Sequence, residues 1–350
     1  MERQYGRMER TMKTLYAISG VTGMTGNELV RQILADQETE NHILGFDNFY
    51  ASSLDTVKDC LGDKRFEFFE YDINHKEQMS AFETRVHELR NMFEEIVYIN
   101  CAAVVHTEHF YHVYETYETN VIGMNSFLQQ AIRVHAQKYI NCSTSEVYSM
   151  NSWNEHGGVK ESDYITMAVA EHSQRTSYAT GKLLTEFFMK DAVVEGKIKG
   201  CSIRFANVYS KNEKFPKHII PFIIHSLNND GKVVLLENSK KNKRTFLNNY
   251  DSCSAVLALV RTDDALDGSI YNVATDEEIS MIDLVKLCAK KMGIDNPVIE
   301  FNGYRESDPE RRLLSTEKIR ERTSWRPKVT LDMGLEECVK NYTLNESFGK

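Results

Sequence analysis

Short, evenly apolar runs alternate with longer stretches whose apolar positions recur every three to four residues. TLYAIS (14–19) is an apolar run that leads straight into glycines. In NELVRQILADQ (27–37), Leu29, Val30, Ile33 and Leu34 fall on one face of a helix. NHILGFD (41–47) and RFEFFEYDI (65–73) predict the next two strands, and EEIVYINCAAVVH (94–106) predicts a buried one. YETNVIGMNSFLQQAIRVHA (117–136) predicts one long amphipathic helix, and KYINCSTSEVY (138–148) a strand. SYATGKLLTEFFMKDAVV (177–194) reads as a helix and KGCSIRFANVY (199–209) as a strand. Such alternation implies a parallel sheet covered by helices on both faces. Beyond residue 210 the pattern loosens into a short helix, a polar turn (ENSKKNKR) and a mostly helical stretch over 281–346. That part is expected to form a smaller domain over the sheet. No internal repeat or low-complexity segment interrupts the chain.

The 350 residues are 41% hydrophobic and 27% charged, enough for a sizeable core in one large domain or two coupled ones. A net charge of −9 gives no basic signature for nucleic acid or an anionic membrane. Cys60, Cys101, Cys142, Cys201, Cys253, Cys288 and Cys338 are scattered, odd in number and without a C-x-x-C pair. This argues against a disulfide framework or a zinc cluster and for a reducing cytoplasm. No apolar run approaches the length of a membrane span. The charged opening MERQYGRMERTMK lacks an apolar centre, so residues 1–13 are expected to be a flexible arm and not a secretory signal; Met8 and Met12 are alternative starts.

The first chemistry-bearing motif is SGVTGMTGNEL, with Gly20, Gly23 and Gly26 between the first strand and the first helix. Glycines there permit a tight turn, close approach of backbone to a pyrophosphate, and close helix–strand packing. Backbone N–H groups at the helix start then face the anion. A glycine-rich turn alone is weak; the strand–loop–helix context strengthens it. The second strand ends at Asp47, 21 residues after Gly26. A carboxylate there suits the adenosine ribose hydroxyls and repels a 2′-phosphate, which favours NAD over NADP. Asp72 and Ile73 suit an adenine-facing edge, and Ala102 and Ala103 leave room beside the dinucleotide. Met24, Thr25 and Asn48 complete the expected cofactor set, with Tyr178 and Lys182 at its far end.

SYATGK places Tyr178 and Lys182 four apart, on one helix face. A lysine close to the phenol is expected to lower the tyrosine pKa and make it a base for a sugar hydroxyl. Taken in order, GVTGMTG, FDNF, YDI, NCAAVVH, ETNVIGMNSFLQQA, STSEVY, YATGK, RFANVY and WRPKVTLDMGLEE resemble one family over about residues 14–345. The chain resembles the extended short-chain dehydrogenase/reductases that act as NAD-dependent nucleotide-sugar epimerases and dehydratases. The resemblance implies a Rossmann doubly wound parallel sheet with a smaller C-terminal α/β substrate domain. It places NAD binding in residues 14–206 plus about 245–270, and nucleotide-sugar binding in about 207–244 plus 271–350.

By that resemblance Thr144 bonds the sugar O4, Tyr178 is the base at C4, and Lys182 supports it and the nicotinamide ribose. Asn120 is a structural or relay residue. Asn207, Arg244, Arg305 and, more weakly, Arg312 are expected on the substrate diphosphate, where arginine forks suit phosphate oxygens. Arg311 reads as surface charge. Oxidation at C4 acidifies the C5 proton, so the next residues decide the outcome. Many 4,6-dehydratases of the family carry Thr-Asp-Glu; here Ser145 stands at the Asp and Glu146 is kept. Thr-Ser-Glu resembles both the GDP-mannose 4,6-dehydratases and the UDP-glucuronate decarboxylases, and Arg175 occurs in both. The reading leans to 4,6-dehydration or other C5/C6 chemistry through Glu146. A 4-epimerase, a decarboxylase, a net dehydrogenase or reductase, and a non-catalytic dinucleotide-binding regulator are the alternatives. Ser149, Ser324 and FLNNYD depart from the family pattern. Helices near 108–136 and 172–194 are expected to pair two copies into a four-helix bundle.

Overall fold

The computed structural model describes residues 12–37, 39–105, 112–148, 158–167, 174–213, 215, 217–305 and 308–342, without the side chains of 174–176. Residues 1–11 of the expected arm, Ser149, the Arg175 side chain and residues 108–111 and 172–173 of the expected bundle helices lie outside the described residues. Lys13, counted with the arm above, opens the first strand and bonds Glu40 at 2.9 Å.

The first half alternates as the pattern predicts. β1 (Lys13–Ser19) leads to α1 (Met24–Ala35), β2 (Glu40–Asp47), β3 (Phe66–Glu70), α2 (Lys76–Leu89) and β4 (Glu95–Asn100). The expected long helix is then three pieces: α3 (Val113–Tyr117), a π-helical stretch (Glu118–Gly123) and α4 (Met124–Arg133). β5 (Lys138–Thr144), a 3-10 turn (Ser145–Tyr148), α5 (Gln174–Val194) and β6 (Lys199–Phe205) follow. The second half runs β7 (Asn207–Tyr209), α6 (Ile219–Asp230), β8 (Lys232–Leu235), β9 (Lys243–Asn248), α7 (Asn249–Val260) and β10 (Asp267–Val273). It ends with β11 (Glu278–Ser280), α8 (Met281–Lys291), β12 (Val298–Phe301), β13 (Arg311–Arg312), α9 (Glu317–Thr323) and α10 (Leu331–Asn341).

The main sheet is parallel, in the order β3-β2-β1-β4-β5-β6-β10. The order reverses between β1 and β4, which opens a crevice at their C-terminal ends. Alternate residues of β1 serve opposite faces: Tyr16 and Ile18 pack with α1 and α7, while Leu15 and Ala17 pack with α2, α4 and α5. Burial on both faces explains why these strands read as continuous apolar runs. On the second face Phe46, Phe82 and Phe127 meet edge-on, with Phe46 centroids 4.9 and 5.5 Å from the other two. Each such contact contributes roughly 0.5–1.5 kcal/mol beyond area burial.

The single expected strand over 199–209 is two. β6 lies in the main sheet; after Ala206 alone, β7 pairs with β9 in a second sheet that also holds β11 and β13. The apolar residues run on from β6 through Val208 and Tyr209, so the pattern carries no sign of the change of partner. β10 extends the main sheet to Val273, past the expected limit near 270, and Ile319 and Trp325 also pack into its core. The second sheet and the β8–β12 pair enclose their own core with α6, α8 and α10.

Candidate active site

The glycine loop fits its expected task at two positions in particular. Gly20 has φ +72°, and a Cβ there would lie 2.8 Å from the Ala102 backbone nitrogen. A Cβ on Gly26 would lie 2.1 Å from the Gly20 carbonyl oxygen. Gly23 caps α1 without a side-chain bond, so the first N–H groups of the helix remain for an anion. Asp47, at the end of β2, accepts the Thr22 N–H at 3.0 Å and the Phe49 N–H at 2.9 Å. Each of its oxygens keeps a second acceptor position. Asn48 donates to Asp72 at 2.9 Å, which joins the ends of β2 and β3.

These groups line a cleft of about 400 Å³. Gly20, Gly23, Met24, Thr25, Asp47, Asn48, Asp72, Ile73, Ala102 and Ala103 all border it, whereas Gly26 packs behind the loop. The cleft also takes in residues the sequence did not single out: Tyr50, Ser52, Tyr71, Asn74, Glu118, Thr119 and, from the segment before α6, His218. The residues present fit a dinucleotide with free ribose hydroxyls: two glycines whose missing Cβ atoms are required, a carboxylate at the strand end, and small side chains at the β4 loop. Asn120, fully buried in the π-helical stretch, accepts the Val104 N–H at 2.7 Å and donates to the Val104 carbonyl at 3.0 Å. It therefore fixes the loop that carries Ala102 and Ala103.

At the other end of the crevice the expected strand over 138–148 stops at Thr144 and turns into the 3-10 turn. The Thr144 Oγ1 accepts the Glu146 N–H at 3.2 Å and is hydrogen-bonded to the Tyr178 phenol. Tyr178 and Lys182 lie on α5 as expected, both buried, and Ser145 is buried in the turn. The expectation that Lys182 lowers the Tyr178 pKa is corrected here. Burial raises the phenol well above its usual range, the Glu146 charge raises it further, and the Thr144 bond offsets part of this. The Lys182 Nζ is turned toward β5, where it donates to the Cys142 carbonyl at 2.8 Å. Burial lowers the lysine itself, opposed by Cys142, Cys101 and Glu186.

The second sheet contributes arginines, and these have protein partners. Arg312, on β13, pairs with Glu146 through both terminal nitrogens; its Nη2–Oε2 distance is 3.0 Å. It is 5% exposed and its Nε has no partner among the described residues. Arg244 neighbours Arg312 across β9 and β13. Its guanidinium bonds Asp308 at 3.1 Å and the Lys243 carbonyl at 2.8 Å. Arg305 is tied through its backbone to Asn238. Asn207 opens β7 and reaches the Thr245 carbonyl at 3.4 Å. Arg311 pairs with Glu278 at 2.7 Å.

A family model described as GDP-mannose 4,6 dehydratase matches residues 17–338. The chain is 26% identical to UDP-glucuronic acid decarboxylase 5 of Arabidopsis thaliana, over 93% of this chain and 89% of that protein. It is 24% identical to human dTDP-D-glucose 4,6-dehydratase, over 94% and 89% of the two. Among solved structures, the dTDP-glucose 4,6-dehydratase DesIV of Streptomyces venezuelae, with NAD and TYD bound, superposes with a TM-score of 0.80 at 23% identity, covering 95% of this chain and 97% of that one. The UDP-glucuronic acid 4-epimerase of Bacillus cereus, with UDP-glucuronic acid and NAD, gives 0.79 at 20% identity over 94% and 98%. These two likenesses establish the Rossmann-type fold. The family match spans nearly the whole chain, and the chain therefore belongs to the GDP-mannose 4,6-dehydratase family of extended short-chain dehydrogenase/reductase enzymes.

Proposed function

We propose that the protein oxidises C4 of a nucleotide-diphosphate hexose, carries out chemistry at C5 or C6 through Glu146, and returns the hydride before release. The observation that carries this reading is the linked set Tyr178–Thr144–Glu146 at the C-terminal edge of β5. Gly20, Gly23, Asp47 and Asp72 would hold NAD, which when bound supplies the hydride acceptor and later the donor. Thr144 orients the C4 hydroxyl, and Tyr178, once ionised, takes its proton. Lys182, donating to the Cys142 carbonyl, is in reach of the same helix face and would bond the nicotinamide ribose. The 4-ketone acidifies the C5 proton, which Glu146 removes once one of its oxygens leaves Arg312. Asn207, Arg244 and Arg305 remain the groups for the diphosphate.

A second reading is decarboxylation of a nucleotide hexuronate. It is supported by Arg312, a buried cation beside Glu146 that can hold a C6 carboxylate, and by Ser145, since loss of carbon dioxide needs no acid at that position. The Arabidopsis decarboxylase among the relatives agrees with it. Incubation with UDP-, GDP-, CDP- and dTDP-sugars, with products read by NMR, tests both. A 4-keto-6-deoxy sugar supports the first and carbon dioxide the second. An inverted C4 selects 4-epimerisation, and stoichiometric NADH a net dehydrogenase. No turnover of any sugar nucleotide overturns the class.

We further propose a homodimer through α3, the π-helical stretch and α5. Tyr114, Ile122 and Phe187, on these helices, are 74%, 61% and 59% exposed, large apolar side chains that a second copy would cover. A monomer by light scattering at micromolar concentration contradicts this. No helix among the described residues is long and apolar enough to cross a membrane. The seven unpaired cysteines suit a reducing cytoplasm.

A further inference from the structure

Behind the Thr144 turn lies a buried polar network that the chemistry above does not use. Glu186 stands on α5 four residues beyond Lys182 and eight beyond Tyr178, on the same helix face. It is 2% exposed and accepts three hydrogen bonds: from Ser143 Oγ at 2.6 Å, Arg204 Nε at 2.9 Å and Arg204 Nη2 at 2.6 Å. Ser143 immediately precedes Thr144. Arg204, on β6, lies 4.7 Å from the centre of the Tyr148 ring. Tyr148 ends the turn that carries Glu146 and donates its hydroxyl to Asn272 at 2.7 Å. Asn272 in turn donates to the carbonyl of Ser315, three residues beyond Arg312.

The pair thus touches α5, β5 and the turn directly, and the Arg312 segment through Tyr148 and Asn272. A buried ion pair is weak support for stability compared with well-packed apolar residues, so stability alone does not explain it. Arg204 Nη1 has no partner among the described residues, a further cost of keeping the charge there. We propose that Glu186 and Arg204 are positioning residues, which hold the Tyr178–Lys182 face of α5 against Thr144 and set the charge that Lys182 feels. The inference rests on the roles given to Tyr178 and Lys182 above.

The charge argument has a definite sign. The groups that act on Lys182 are Cys142 from β5, Cys101 from the loop after β4, and Glu186 from its own helix; Glu146 acts on Tyr178. With Glu186→Gln the Arg204 cation is left unbalanced, and Lys182 gives up its proton at lower pH. With Arg204→Met the carboxylate is left unbalanced, and Lys182 holds its proton to higher pH. A role in packing alone would move both variants the same way or not at all.

The test uses the full-length holoenzyme and a sugar nucleotide that it turns over, with Tyr178→Phe as the reference. In both variants kcat is expected to fall about tenfold or more with KM within about threefold. The alkaline limb of the kcat–pH profile moves down in Glu186→Gln and up in Arg204→Met, and the pH dependence of NAD dissociation moves in the same senses. Limbs that stay in place, or move together, overturn the proposal while Tyr178→Phe remains inactive. A fully active Tyr178→Phe instead overturns the reading of the site, and the proposal with it. If neither charge variant folds, Ser143→Ala, which removes one of the three bonds, decides. A kcat lowered about threefold at unchanged KM supports the proposal, and an unchanged kcat overturns it.

Discussion

Arg312 closes both terminal nitrogens on the carboxylate of Glu146, across 166 residues of chain and between the two sheets. The position of the group assigned to C5 is thus set by a strand of the second sheet. At the end of β5, the Thr144 hydroxyl accepts the Glu146 backbone N–H.

Arg312→Met leaves a largely buried carboxylate without its charge partner. Breaking a buried pair costs about 3–5 kcal/mol, and the 19% exposure of Glu146 brings the expectation here to about 2 kcal/mol. Thermal unfolding should shift downward, and kcat should fall about 100-fold as Glu146 loses its orientation. Arg312→Lys keeps the charge and loses the fork, so it should recover stability more fully than activity. A variant with normal kcat would show that the pair is not used in turnover.

Tyr178→Phe removes the phenolic oxygen and its bond with Thr144. Loss of a general acid–base group predicts a fall in kcat of about 100- to 10,000-fold with little change in NAD affinity. Thr144→Val tests the other partner and should reduce kcat less. The comparison is made by steady-state kinetics with NAD binding followed by fluorescence.

Gly26→Ala places a methyl group 2.1 Å from the Gly20 carbonyl oxygen and 2.6 Å from Val21 Cα, both backbone atoms that cannot swing aside. Overpacking of this kind costs about 1–3 kcal/mol and displaces the loop proposed to face the cofactor diphosphate. The NAD dissociation constant should rise about 5- to 150-fold, if the same energy is lost from binding. Gly62→Ala, with open space around its Cβ, is the control and should change neither quantity.

Asp263 accepts from Lys199 at 2.7 Å and Lys138 at 2.9 Å, and these bonds hold its carboxyl down to about 2 from the ordinary 3.8. A depressed carboxyl stabilises the fold above its ordinary value and loses that contribution as pH falls through the folded value. The advantage of the wild type over Asp263→Asn should therefore be present at neutral pH and vanish between about pH 4 and pH 2. It should be small, since the side chain is 55% exposed and screened. Denaturant melts across this range measure it; an advantage that persists at the acid end contradicts the assignment.

The strands of the main sheet were legible because burial on both faces leaves an apolar run, as in β1 and β4. The placement of the glycine loop and Asp47 was legible because it depends on spacing along one strand–turn–helix unit. The end of β5 was not, since Val147 and Tyr148 continue an apolar pattern while the backbone turns away. Nor was the break in the long helix: Asn120 looks like one polar residue among several until its bonds to Val104 are seen. Pairings between distant segments, such as Arg312 with Glu146 and Arg204 with Glu186, leave no periodic trace at all. The lysine–tyrosine expectation went wrong for a related reason. Spacing puts Lys182 and Tyr178 on one face, but the Cys142 carbonyl that takes the ammonium comes from another element.

Ala206 is the whole of the connection between β6 and β7, and Asn248 ends β9 where Asn249 begins α7. Neither joint contains slack. Heat should therefore find no weak hinge at which to release one sheet before the other, and calorimetry should show a single cooperative transition instead of two. Limited proteolysis should likewise fail to free a smaller fragment by cutting at either joint.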